Sequence, residues 1–132
     1  MRAALALAAL ISSPVWIGSA RAAGVEVLDG DSLVYDGKTV EIWGTIAPLP
    51  SETCTTTGGE RWDCGQRAFE RLRSLAAEAD FSCVEKEARF VTCEAGGLDV
   101  GSEMVRQGLV RARQDYAGVE ARAREAKVGL WK

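Results

Sequence analysis

The sequence predicts a mainly β, α+β domain in which a five-stranded barrel carries helices at one end. Short alternating or β-branched stretches, separated by turn residues, indicate five strands. Segments with helical apolar spacing or helix-stop glycines indicate three helices, in the order β-β-β-α-β-β-α-α. The 132 residues are enough for one compact domain and not for two.

The first 22 residues have the pattern of a cleaved signal peptide. Arg2 gives a positive start, and residues 3–11 form an apolar run too short to span a bilayer as a helix. The small residues Ala20 and Ala22, on either side of Arg21, suit cleavage after position 22. The sequence therefore predicts a domain of residues 23–132 exported to the periplasm or secreted, without a transmembrane segment. An uncleaved anchor is the alternative, but nothing further along extends the apolar run.

Charge and composition bear on the possible function classes. Without its predicted leader the chain loses two of 16 basic residues and none of 19 acidic residues, which leaves a net charge of −5. This is a weak argument against general nucleic-acid affinity, since a local basic patch can coexist with an acidic total. The chain has no histidine. Ser–His and Cys–His catalysis and histidine metal sites are therefore excluded.

The mature chain opens with three strands in a meander. Residues 25–28 alternate apolar and polar, and a second strand covers 32–35. Asp36-Gly37 indicates a hairpin, because both central positions of a type I′ turn need positive φ. The third strand covers 39–46 and ends before the prolines that follow.

The four cysteines favour disulfides in an exported chain, and three pairings are possible. We favour Cys54–Cys64, because it would hold the long loop 51–65 at a gain on the order of 2–3 kcal/mol. We also favour Cys83–Cys93, because these residues meet if the fourth and fifth strands pair antiparallel. A zinc site is the alternative, and the lack of a Cys-x-x-Cys pair and of histidine argues against it.

The second half of the chain alternates helices and strands. Apolar residues recur at three and four along the first helix, and Gly108 and Gly129 provide stops for the other two. We expect Trp131 to pack on the body of the domain. The predicted elements are a helix at 66–79, strands at 81–84 and 89–94, and helices at 100–107 and 115–127.

Several short motifs occur along the mature chain in a fixed order. They are "LDGDSL" at 28–33, Gly44 followed by Ala47-Pro48, "C…W.CG..A" at 54–68, "GGLDVGSEMVRQGLVRA" at 96–112 and "Y...EARAREAKVGLW" at 116–131. This ordered set, over nearly the full mature length, resembles the staphylococcal nuclease (thermonuclease) family. The resemblance implies an OB-type barrel with three helices. It also implies calcium-dependent hydrolysis of phosphodiester bonds in DNA and RNA.

The same resemblance implies which positions would carry the chemistry. Carboxylates hold the cation and orient the water, and arginines neutralise charge on the phosphate. The first calcium ligand falls on Asp31, which is present. The other four roles fall on residues that cannot fill them: Glu41 at the first arginine, Ile46 at the second calcium ligand, Leu49 at the water carboxylate and Ala88 at the second arginine.

Two rearrangements would restore part of that chemistry. Arg89 is next to the empty arginine position, but a one-residue shift along a strand turns a side chain to the other face. Asp31, Glu41 and Glu52 would together make an oxygen-rich calcium site. Even then, a carboxylate at Glu41 about 4 Å from a phosphate oxygen would oppose it by ~4 kcal/mol at an effective dielectric suited to a protein surface.

Simpler interpretations exist for the same residues. Asp29 and Asp31 suit a tight turn without a ligand. Ile46 and Leu49 would extend the barrel core, and Glu41 would be solvated or paired with Arg89 or Lys86. The basic residues of the last third are interpreted as an exposed charged face: Arg106, Arg111, Arg113, Arg122, Arg124 and Lys127.

We therefore expect a monomeric, exported binding or accessory domain that has lost nuclease chemistry and has no cofactor. Its expected ligand is an envelope or extracellular protein, glycan or nucleic acid. The alternative is a calcium-dependent phosphodiesterase with a rearranged carboxylate set, and a purely structural domain is a third possibility. An arginine facing the barrel mouth beside Asp31 would favour the phosphodiesterase, and register arguments predict none.

Overall fold

The computed structural model describes residues 24–132, a mixed α+β arrangement rich in sheet and with three α-helices. The predicted signal peptide lies outside the described residues. None of the helices within this range is long and apolar enough to cross a membrane.

The elements of the described range are short. The strands are β1 Glu26–Val27, β2 Ser32–Tyr35, β3 Lys38–Ile42, β4 Thr45–Ile46, β5 Cys54–Thr55, β6 Arg61–Trp62, β7 Ser82–Glu87, β8 Phe90–Ala95, β9 Leu98–Asp99 and β10 Arg111–Ala112. The helices are α1 Cys64–Ala76, α2 Val100–Arg106 and α3 Ala117–Ala126, with 3-10 turns at Gln114–Tyr116 and Gly129–Trp131.

Six strands form the main sheet. Its order is β1-β2-β3-β8-β7, and β9 pairs with β8. Only β3 and β8 run parallel among the pairs of this sheet within residues 24–132. The path has β1 and β7 as its two ends, so it does not close on itself in the described part of the chain. The predicted mainly β, α+β class with three helices is confirmed.

The predicted third strand is in fact two strands with a turn between them. Trp43-Gly44 interrupts the segment, and Gly44 has φ +75°. A Cβ atom on Gly44 would lie 2.8 Å from the Tyr116 ring, so a side chain there meets both strain and a clash. The turn takes β4 away from β8 and pairs it with β10.

The predicted loop 51–65 is also more ordered than expected. It contains the β5/β6 hairpin, and α1 begins at Cys64 rather than at residue 66. The disulfide Cys54–Cys64 ties the hairpin to the helix, with a Cα–Cα distance of 5.6 Å. The loop is therefore held to α1 at its end.

The second disulfide joins two strands of the main sheet. Cys83 and Cys93 lie directly opposite each other on β7 and β8, with a Cα–Cα distance of 4.1 Å. Together with the first disulfide, this is the pairing that the sequence favoured.

The core lies between the main sheet and the helices. Its largest fully buried side chains come from β2, β3, α1, α2 and the segment before β10: Leu33, Ile42, Leu72, Met104, Val100, Val105 and Val110. Trp131 packs on the body, as expected, with the guanidinium groups of Arg111 and Arg124 at 5.0 and 4.0 Å from its ring centre.

Candidate functional site

The turn between β1 and β2 is built around Asp29. Its Oδ1 accepts hydrogen bonds from the backbone N–H groups of Asp31 at 2.9 Å and of Ser32 at 2.8 Å. Such bonds from an aspartate to its own following backbone stabilise tight turns. Gly30 packs so closely that a Cβ there would lie 2.6 Å from the Ala68 Cβ of α1. The expected turn role of Asp29 is confirmed, and the turn fixes the position of Asp31.

The carboxyl group of Asp31 also makes a structural contact. Its Oδ2 accepts the backbone N–H of Ala47 at 2.8 Å, which ties the turn to the segment after β4. Burial, followed by the hydrogen bond with Asp29 and the charges of Asp29 and Glu41, raises the pKa of Asp31 to about 7. At neutral pH this group is therefore only partly ionised.

A cleft of about 240 Å³ opens beside Asp31. Acidic, basic and apolar side chains share its walls, chiefly Glu41, Ile46, Arg89, Phe90 and Arg113. Phe90 packs edge to face with Trp43, with ring centres 5.7 Å apart. Sequence reasoning did not identify Phe90 or Arg113 as part of a site.

The prediction that Arg89 points away from this cleft is wrong. Alternation along a strand governs residues inside a strand, but Arg89 lies in the turn between β7 and β8, where Ala88 has φ +46°. Its Nε donates to Glu41 Oε1 at 2.9 Å. Glu41 is therefore paired with Arg89, one of the two partners considered for it.

The second arginine arrives from a distant part of the sequence. Arg113 follows β10, and its backbone N–H donates to the Gly44 carbonyl at 2.7 Å. This bond and the β4–β10 pairing carry Arg113 to the cleft. The prediction that no arginine lies beside Asp31 is therefore wrong for two residues.

Ile46 and Leu49 do not extend the core, contrary to expectation. Their exposed fractions are 36% and 61%. Both lie at or after β4, which pairs with β10 outside the main sheet. Ile46 lines the cleft, and Leu49 is largely in solvent.

Glu52 does not join Asp31 and Glu41. Its carboxylate accepts the backbone N–H of Leu49 and so caps its own turn. Across residues 24–132, no three or more acidic or cysteine side chains come together in a way that could hold a metal ion. The cleft instead sets the two acidic groups against Arg89 and Arg113, so groups of opposite charge share its walls.

No protein-family model matches this chain. The chain is similar to the succinoglycan biosynthesis protein ExoI of Rhizobium meliloti (strain 1021), with 26% identity over 118 residues. That alignment covers 80% of this chain and 62% of ExoI, so the chain spans less than two thirds of its relative.

Proposed function

We propose that this chain is an exported domain of the staphylococcal nuclease type that has lost nuclease chemistry and acts as a binding or accessory module. The observation that carries the proposal is the isolation of Asp31 as a cation ligand. The resemblance implies that Ile46 and Leu49 stand where carboxylates would be needed. The Glu52 carboxylate accepts a hydrogen bond from Leu49 in its own loop, away from Asp31. Calcium binding takes six to eight oxygen ligands, which this cleft does not assemble.

Strand connectivity supports the OB-type barrel within this proposal. An OB fold is a five-stranded, partly open Greek-key barrel. The path β1-β2-β3-β8-β7, with its parallel β3–β8 pair and two open ends, is compatible with that description. The ordered motifs along the mature chain point in the same direction.

The two disulfides support the proposed export. Disulfides form and persist in oxidising compartments such as the periplasm or the extracellular space. All four cysteines are paired in the described residues. The apolar start of the sequence is the other support for export.

A glycan is the favoured ligand class among the protein, glycan and nucleic acid considered. The relative is named for the biosynthesis of succinoglycan. OB-type barrels commonly bind oligosaccharides or oligonucleotides on one face. The acidic net charge of the chain argues against a general nucleic-acid binder.

The second candidate function is a calcium-dependent phosphodiesterase, and the placement of Arg89 and Arg113 favours it. Arginines beside a carboxylate are what phosphate chemistry needs. Glu41, however, neutralises Arg89 and would oppose a phosphate.

Hydrolysis of single-stranded DNA by the mature, oxidised protein in calcium tests the proposal. We expect no cleavage above background, from wild type or from Asp31→Ala and Asp36→Ala variants shown to be folded. Cleavage that needs calcium and is lost in Asp31→Ala but kept in Asp36→Ala would overturn the proposal. It would establish the phosphodiesterase instead.

A further inference from the structure

A second cleft lies away from Asp31, between α1, the end of α2 and the last residues of the chain. Its volume is about 610 Å³, and it shares no lining residue with the cleft at Asp31. Pockets that bury small ligands commonly have volumes of this order. We call it the helical groove.

Cationic side chains dominate the helical groove. Arg67 and Arg71 lie one turn apart on the face of α1 that lines it, and Arg106 and Lys132 stand on the other sides. Glu70 is the acidic residue of the lining. Even when Glu103, which pairs with two of these arginines, is counted, the four cationic groups outnumber the two acidic ones. A positive excess in a concave site attracts anions, even in a chain whose formal net charge is −3.

A buried carboxylate holds two of these arginines in place. Glu103 of α2 accepts from Arg106 Nη2 at 2.7 Å and from Arg71 Nη2 at 3.3 Å, and its side chain is 8% exposed. The hydrogen bond from Arg106, above all, lowers the pKa of Glu103 to about 2, so the carboxylate remains charged. Arg71 and Arg106 are thus set in the groove wall, which reduces the entropy lost on binding a ligand.

Arg67 differs from Arg71 and Arg106 because no carboxylate in the described part of the chain holds its guanidinium group. It is exposed on α1, and no ion pair within residues 24–132 involves it. Its guanidinium is free to make a bidentate bond to a carboxylate or phosphate.

One wall of the helical groove is aromatic. Trp62 of β6 is half-buried, and the Lys132 ammonium lies 5.7 Å from its ring centre. An indole face offers a flat apolar surface, and the Lys132 ammonium lies over the ring and adds a positive charge there. A ligand with an apolar ring face and negative substituents matches both features.

We propose that the helical groove binds an acidic oligosaccharide, a ligand of a few sugar rings with carboxylate groups. One ring would stack on Trp62, and the carboxylates would bind Arg67 and the arginines held by Glu103. A single-stranded nucleic acid is less well matched. Such strands are bound along channels with successive stacking platforms, and Trp62 is the one aromatic residue that lines this groove within the described residues. This inference rests on the glycan-binding role proposed above and gives it a location.

Isothermal titration of the full mature protein with trigalacturonate, a carboxylate-bearing trisaccharide, tests the inference. Maltotriose is the neutral counterpart, and the oligonucleotide dT3 tests a nucleic acid. We expect trigalacturonate to bind, with Kd raised about tenfold or more by Arg67→Glu, because a charge-assisted bond is replaced by repulsion. Trp62→Ala should also raise Kd, about tenfold, through lost stacking.

Arg122→Glu, the same change at an exposed position of α3, is the matched control and should leave Kd within about twofold. Arg67→Gln serves if Arg67→Glu does not fold. Equal trigalacturonate affinity in wild type and the groove variants would overturn the location but leave the glycan-binding role standing. Equal affinity for maltotriose, tighter groove-dependent binding of dT3, or no binding of any probe would overturn the acidic oligosaccharide. If the proposal that the chain has lost nuclease activity is wrong, this would be seen separately, as calcium-dependent cleavage of DNA.

Discussion

At the scale of single residues, Asp31 links stability to pH. Burial first, and then the neighbouring Asp29 and Glu41, raise its pKa from 3.8 to about 7. Between these two values the folded state binds more protons than the unfolded state. The free energy of unfolding therefore falls as the pH rises through this window. This loss of unfolding free energy is absent below pH 3.8 and complete above about pH 7.

Asp31→Asn removes this titration and keeps an oxygen that can accept from Ala47. We expect the variant to gain about 2 kcal/mol of stability relative to wild type between pH 4 and pH 8, since Asp31 is half-buried and solvent screens part of its shift. Urea unfolding at both pH values measures the difference. Asp36→Asn, at an exposed turn position, is the control and should show no such gain. Parallel pH profiles for wild type and Asp31→Asn would contradict the linkage.

Ile46 is the second residue for which the structure changes the expected effect of a mutation. Because its side chain is 36% exposed, Ile46→Asp should cost less than about 1 kcal/mol of unfolding free energy, mostly through lower β propensity. We expect no measurable calcium affinity in the variant, since Glu52 stays on its own turn. Denaturation and calcium titration check both points, with Ile46→Asn as control. Calcium bound by Ile46→Asp but not by Ile46→Asn would show that the cleft retains the shape of a metal site.

At the scale of elements, the two disulfides hold segments of very different kinds. Each spans a sequence separation of 10 residues. The chain-entropy model therefore assigns each about the same stabilisation, ~3 kcal/mol. Cys83–Cys93 crosses a strand pair that the sheet ladder already holds. Cys54–Cys64 holds a two-stranded hairpin outside the main sheet.

Removing each disulfide should therefore have different local effects. Replacing Cys54 and Cys64 by Ala should make trypsin cut after Arg61 in the released hairpin. Replacing Cys83 and Cys93 by Ala should lower global stability without exposing Arg61. Limited proteolysis followed by mass spectrometry measures both, after non-reducing peptide mapping has established the two linked pairs in wild type. Equal rates of cutting after Arg61 in the two double variants would refute the assignment.

At the scale of the whole molecule, Tyr116 joins three separate parts of the chain. Its ring fills the space over Gly44 of the β3–β4 turn and over Gly101 of α2. Its hydroxyl donates to Asp99 Oδ1 at 2.8 Å, and the same oxygen accepts the Ser102 N–H at the start of α2. The turn that separates β3 from β4 is thus packed against the helical layer.

Gly44→Ala tests this junction, and Gly37→Ala is a matched control. Both glycines have φ near +75°, but a Cβ on Gly37 meets nothing within 4 Å. Backbone strain alone should cost Gly37→Ala about 1 kcal/mol. Gly44→Ala should cost about 1–3 kcal/mol more, because its Cβ overlaps the Tyr116 ring. The difference in unfolding free energy in urea measures the clash. Equal losses of unfolding free energy in the two variants would mean that the Tyr116 ring moves away from the new Cβ without an energetic cost.

Much of the β-structure was readable from local sequence. The alternation at β1, the Asp36-Gly37 turn and the apolar spacing of α1 each lie within a short window, and periodicity and turn chemistry act over that range. The two cysteine pairs follow from the same kind of reasoning. They are close in sequence, and each lies beside a segment whose type was identified.

The composition of the site was decided only by tertiary structure. The bend at Gly44 packs against the distant Tyr116, and the pairing of β4 with β10 brings Arg113 to the cleft beside Asp31. Arg89 lies in the turn at Ala88 and not inside a strand. The alternation of side chains along a strand, from which its direction was predicted, therefore does not apply to it.

The sequence by itself indicated the three helices and most of the main sheet, and it favoured the two disulfide pairs that the structure contains. The tertiary structure decided which charged groups meet, how far Ile46 and Leu49 are exposed, and that a cationic groove forms between α1 and α2. The physical reason is range. Backbone preference and periodicity act between neighbours in the chain, whereas charge pairing and burial depend on contacts between residues far apart in sequence.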